Sequence, residues 1–147
     1  MSYKFCIIKS IQELLTYHEL IHSAFTDFED RRLLEVTELT YVQALMDCVA
    51  RPEGGFVCIV KNKNDLVLAL GAVQYLTKEE AHLYSGWHNQ KDPNLVKVVL
   101  SWLDMYLSKR GIKSYTFSTR RSSGAAIRCF EKKHGFKKDT LTFRRDL

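Results

Sequence analysis

Lys109-Arg110-Gly111-Ile112-Lys113 closes a long amphipathic helix, and Tyr115-Thr116-Phe117-Ser118-Thr119 reads as a strand. Ala126-Ile127-Arg128-Cys129-Phe130-Glu131-Lys132-Lys133 then reads as a second helix that stops at His134-Gly135-Phe136. Basic side chains in a last turn followed by glycine are a strong helix-stop signal, and both helices carry it. A basic strand closes the chain.

Reading outward from this segment, Asp92-Pro93 has the form of an N-cap followed by proline at the first helical position. In the helix it opens, Lys97, Ser101, Asp104 and Ser108 form one polar stripe, with Leu95, Val99, Trp102, Leu103 and Tyr106 opposite. That ratio of apolar to polar circumference predicts a helix packed on a sheet. Upstream, residues 56–60 and 66–75 flank Lys61-Asn62-Lys63-Asn64-Asp65, a hairpin signature, and residues 81–87 make another strand. A helix over 40–50 is stopped by Arg51-Pro52-Glu53-Gly54-Gly55. Residues 5–8 read as the first strand. Ser10-Ile11-Gln12-Glu13 is a capping box, and Ile11, Leu14, Leu15, Ile21 and Phe25 repeat at helical spacing, so the first helix is expected to end near Phe25 and residues 26–32 to form a loop.

Composition bounds the reading. At 147 residues, 46% apolar and 27% charged, the chain suits one core, and a single domain over 1–147 is expected. No apolar run approaches the ~20 residues of a membrane span, and residues 1–4 lead into a strand rather than a signal peptide, so a cytoplasmic location without membrane contact is expected. Cys6, Cys48, Cys58 and Cys129 are scattered without a C-x-x-C pair, which predicts reduced, mostly buried thiols. The net charge of +5 is uneven. After Lys109, only Glu131, Asp139 and Asp146 oppose Arg110, Lys113, Arg120, Arg121, Arg128, Lys132, Lys133, Lys137, Lys138, Arg144 and Arg145. Such a face suits a polyanion, either a nucleic acid or a phosphate-rich cofactor.

The order β-α-α-β-β-β-α-β-α-β, with the residues from about Asn94 to Phe136, resembles the GNAT N-acyltransferase superfamily. The resemblance implies a mixed α/β (α+β) GNAT-like fold: a twisted, mainly antiparallel sheet splayed between strands four and five, flanked by four helices. It also implies an acyltransferase that moves an acyl group from acetyl-CoA or another acyl-CoA to an amine. By the same resemblance, Lys91 stands at the Arg/Gln position of the family's cofactor loop, with Asn94 and Val96 where that loop has glycines. Phe130 stands where the family often has the tyrosine that protonates the departing thiolate, and Ser123 at an asparagine position. The general base of the family comes from the fourth strand, where this chain offers Glu80, His82, Tyr84 and His88. Imidazole has the pKa for that task, which puts His88 first, with Tyr84 and Glu80 beside it.

Arg120-Arg121-Ser122-Ser123-Gly124 combines two guanidinium groups, two hydroxyls and a helix start, the elements of a phosphate site; an exposed, serine-capped helix start uses the same residues. Trp87 and Trp102 are expected in the core. His18-Glu19-Leu20-Ile21-His22 matches H-E-x-x-H, which at one helical turn can hold zinc while the glutamate activates water. Both histidines fall in the apolar stripe of the first helix, so two half-buried histidines under the sheet are the expectation and a zinc hydrolase the rival. A third class is a GNAT-fold binding, assembly or DNA-modification protein of the kind small phage-encoded GNAT-like proteins represent.

Overall fold

The computed structural model describes residues 2–30, 36–89, 92–118, 125, 128–137 and 145. The elements are β1 (Tyr3–Ile7), α1 (Ile11–Leu15), α2 (His18–Asp30), α3 (Glu38–Ala50), β2 (Gly55–Asn62), β3 (Val67–Tyr75), β4 (Glu80–His88), α4 (Leu95–Lys109), β5 (Ser114–Phe117) and a π-helical turn, α5 (Cys129–Lys133). Five helical segments are thus described where four were expected. The described strands form one sheet in the order β1-β2-β3-β4-β5. Neighbours are antiparallel from β1 to β4, while β4 and β5 are parallel, joined by the α4 crossover.

The extra helix comes from a break inside the expected first one. Ser10 caps α1 as expected, its hydroxyl accepting the Glu13 N–H at 3.1 Å. The Thr16 hydroxyl then donates to the Glu13 carbonyl at 2.6 Å, and the Tyr17 N–H donates to the Leu14 carbonyl at 3.0 Å. These three-residue closures end α1, because a threonine hydroxyl competes for helix carbonyls. The helix restarts at His18 with its phase turned, so Ile21, Ala24 and Phe25 are buried while His18 and His22 are exposed. The expectation of half-buried histidines is therefore corrected. The polar stretch expected as a loop after Phe25 continues α2 to Asp30 instead, with Thr26 exposed and Asp27 held inward by the Trp87 indole. Residues 31–32 lie outside the described residues.

Two cores cover the two faces of the sheet. Leu14, Ile21, Ala24, Phe25, Tyr41 and Leu45 from α1 to α3 pack on Val57, Ile59, Leu70 and Ala72. On the other face, Leu95, Leu103 and Leu107 of α4 pack with Phe56, Cys58, Val60, Ala69 and Val73. Trp102 is half-buried rather than enclosed, stacked on Phe5 with ring centres 4.7 Å apart. The polar stripe of α4 is exposed as expected. This helix ends at Gly111, φ +83°, with the Gly111 N–H donating to the Ser108 carbonyl and the Ile112 N–H to the Leu107 carbonyl. The pair of bonds is a Schellman motif, and buried Ile112 and Leu107 supply its apolar contact. All four cysteines are free thiols; Cys48 and Cys58 are buried, Cys6 and Cys129 half-buried.

Candidate active site

β5 pairs with β4 over four residues only, from Glu80↔Ser114 to Leu83↔Phe117. β4 runs on to His88, held by β3 alone among the described strands. At the point of parting the β3–β4 register slips, from Ala72↔Ser85 to Val73↔Leu83, which leaves Tyr84 as an extra residue. Such a bulge bends the strand and re-aims its side chains, and bulges gather next to active sites. Here it brings Tyr84 and Ser85 both toward α3. The Ser85 hydroxyl lies 3.2 Å from the Tyr41 hydroxyl, and the Tyr84 and Tyr41 rings are stacked at 6.3 Å.

A cavity of about 450 Å³ opens where the two strands separate. Its walls are the free stretch of β4, the start of α4 (Pro93, Leu95, Val96), the end of β5 (Phe117, Ser118) and α5 (Cys129, Phe130, Lys133) with His134. On the α2 side it reaches Asp27, whose carboxylate accepts the Trp87 indole N–H at 3.2 Å. Asp27 is the one carboxylate among the described lining residues and Lys133 the one lysine, so the cavity has an acidic and a basic end.

The candidate catalytic side chains are spread along β4. Tyr84 is at the bulge, and burial, followed by the neighbouring Cys48, raises its phenol pKa and keeps it protonated at neutral pH. His88 lines the cavity from the α4 side. Glu80 is exposed, beside Ser114, and does not line the cavity; it stands at the opposite end of β4 from His88, roughly 26 Å away. His82 faces Thr116, its Nδ1 2.8 Å from the threonine hydroxyl, and burial lowers its pKa, so it is neutral at pH 7. Burial and the adjacent Lys133 act in the same direction on His134.

At the segment expected to form a cofactor loop, α4 begins at Leu95 with Asn94 as the cap, two residues later than the sequence suggests. Asp92 still serves the helix start. Its carboxylate accepts the Asn94 N–H at 2.9 Å and the hydroxyl of Tyr3, and these bonds hold its pKa below the usual carboxylate value. A carboxylate thus occupies the positive end of α4, a position that favours anions. Lys91, Arg120, Arg121, Ser122 and Ser123 lie outside the described residues.

The fifth strand, parallel to the fourth and splayed from it at a bulge, decides the architecture. It is the GNAT fold. A possible acetyltransferase from Clostridium difficile 630 superposes with a TM-score of 0.69 at 10% identity, over 100% of this chain and 99% of that one. The ribosomal-protein-alanine N-acetyltransferase of Brucella melitensis biovar Abortus 2308 gives 0.66 at 8% identity, over 99% and 100%. A transcriptional regulator from Bacillus halodurans C-125 gives 0.70 at 14%, over 99% and 100%. At these identities the likeness establishes the GNAT fold and leaves activity to the site. No family model and no curated protein matches the chain.

The H-E-x-x-H motif does not assemble a metal centre among the described residues, where no group of three or more His, Cys, Asp or Glu converges. His22 Nδ1 instead meets Glu38 Oε1 of α3 at 2.5 Å on the surface. No helix among the described residues is long and apolar enough to cross a membrane. Asp27, Ser85 and Trp87 were not singled out for the site in the sequence. Asp27 sat in a stretch read as loop, and Ser85 became a wall residue only through a register slip that has no local sequence signature.

Proposed function

We propose that this protein transfers an acyl group from an acyl-CoA thioester to an amine, with the reacting carbonyl held at the β4 bulge. The observation that carries this reading is the cavity at the parting of β4 and β5, lined by a strand edge that can offer backbone N–H groups to a carbonyl oxygen. The amine nitrogen attacks the carbonyl carbon, the C–S bond breaks, and the proton lost by nitrogen reaches the sulfur. Tyr84 is the candidate proton donor, since Phe130, on the opposite wall, has no proton to give. His88 is the candidate base from the α4 side. The opening between β4 and β5, where the free strand edge can pair with amides, suits the arm of the cofactor; the diphosphate seat at α4 fits poorly, because Asp92 is there. Exposed Arg128, Lys132 and Lys137 and the lining Lys133 are the described cations that would hold the phosphates instead.

Calorimetric titration with acetyl-CoA, paired with thiol release against a panel of amines, tests the reading. Binding with amine-dependent thiol release is expected, and Tyr84→Phe should lower kcat by about 10²-fold with little change in KM. Absence of CoA binding would overturn it. In that case the anion at α4 favours the second reading, a GNAT-fold binding protein whose exposed cations meet nucleic acid, recognisable by an affinity that falls linearly with log salt.

A further inference from the structure

The cavity extends beyond the place where the strands part. From the mouth beside Leu83 a slot continues under the sheet on the α4 side to Cys58 and Val60 of β2, faced by Val99, and Phe56 and Trp102, edge to face with ring centres 6.4 Å apart, bound its end. The distance from β4 to β2 is two strand spacings, roughly 10 Å. The slot exists because α4 does not come as close to the strand backbones as α3 does to β2. Val99 and Trp102 are half-buried, although both belong to the face that packs on the sheet.

The chemistry of this slot selects its occupant. Its walls are aliphatic and aromatic, and the Cys58 thiol is already directed at the Ile59 carbonyl, 3.8 Å away. The arm of coenzyme A carries amides, which lose their hydrogen bonds in such a place and are strongly disfavoured there. A hydrocarbon chain loses nothing and removes apolar wall from water. Resting on the acyl-CoA reading above, we propose that the slot holds the acyl chain of the donor, which is a medium-chain thioester of about six to eight carbons rather than acetyl-CoA. The length follows from roughly 1.3 Å of advance for each C–C bond of about 1.5 Å along a 10 Å path.

The test titrates the full chain with acetyl-, butanoyl-, hexanoyl-, octanoyl- and dodecanoyl-CoA by calorimetry. Affinity is expected to rise by up to about fourfold per added methylene and to level off at six to eight carbons. Val99→Trp, which fills the slot, should abolish the rise and leave acetyl-CoA affinity within about twofold; Val99→Phe is the milder variant if circular dichroism shows that the first does not fold. Equal affinity for acetyl- and octanoyl-CoA would overturn the slot while leaving acyl transfer intact. A chain-length dependence that survives in the filled variants would overturn it as well. If no thioester and no free CoA binds, the functional reading fails and the slot assignment with it.

Discussion

Replacing Tyr41 by phenylalanine tests whether the bulge in β4 is held from beneath. Tyr41 is fully buried, its ring lies between Phe25 and Tyr84, and its hydroxyl meets that of Ser85, itself 8% exposed. The substitution keeps the ring and removes one partner of a buried polar pair. A neutral hydrogen bond contributes about 0.5–1.5 kcal/mol net, and a buried hydroxyl deprived of its partner costs about 1–3 kcal/mol. At 3.2 Å the contact is long for two hydroxyls, which places the expected loss at the low end, about 1–2 kcal/mol. Ser85→Ala should cost a similar amount. The double variant should cost about 1 kcal/mol less than the sum, because the two single changes remove the same contact. Urea unfolding of the four proteins, with a common m-value, measures the cycle; a 1–2 kcal/mol loss corresponds to a drop in Tm of roughly 2–8 °C for a chain of this size. Additivity within about 0.3 kcal/mol would show that the two hydroxyls do not support each other, and the argument for a braced bulge would fall.

Alkaline pH should destabilise the protein. Burial raises the Tyr41 phenol to about 12 from an ordinary value of 10.0, Cys58 to about 12 from 9.0 and Cys48 to about 11 from 9.0. The native state then keeps protons that the unfolded chain releases, so stability is fully present below about pH 9 and falls as pH rises toward 12, with Tyr41 alone accounting for roughly 2–3 kcal/mol; urea midpoints that stay level from pH 8 to 11 would contradict this. Gly55→Ala should be severe, because its Cβ would lie 2.2 Å from the Val73 carbonyl oxygen, whereas Gly54→Ala meets nothing closer than 3.4 Å; a loss of about 2–4 kcal/mol in the first and under 1 in the second is expected by thermal unfolding, and equal effects would count against it. Asp92→Asn removes the anion at the start of α4 and should strengthen CoA binding severalfold in calorimetry, an unchanged affinity showing that the carboxylate does not compete. Purified protein should contain no stoichiometric zinc by elemental analysis, and zinc lost in His18→Ala would restore the H-E-x-x-H reading.

What the sequence disclosed was whatever depends on neighbours along the chain. The hairpin around Asn62, where the side-chain carbonyl accepts the Asn64 and Leu66 N–H groups, has its signal within five residues. So do the Ser10 cap and the glycine stop at Gly111. The break at Thr16 was hidden, because one hydroxyl competing for a carbonyl does not disturb an apolar stripe of 3.6-residue period. The consequence was large: it turned the phase of α2, moved His18 and His22 to the surface and replaced an expected loop with the helix that carries Asp27. The cavity walls were legible as a region, the fourth strand and the start of α4, and illegible as a constellation. Asp27 and Trp87 meet across sixty positions of sequence, and the slot beneath the sheet depends on the distance of a helix from strands. Neither is a property of any window of residues.

The four-residue seam between β4 and β5 has a consequence for motion. Proteins open in pieces, and a piece attached by few backbone bonds opens at a free energy well below that of global unfolding. β5 is tied to the first four strands by one short parallel ladder, and while Tyr115 still reaches the α4-side core, Phe117 at that ladder clasps Phe130 and Phe136 instead. Amide hydrogens of β5 should therefore exchange sooner than those of β2 and β3, which are laced on both sides where β5 is laced on one among the described strands. A guest entering between β4 and β5 displaces the most lightly fastened of the described strands, and the body of the molecule stays folded while it does so.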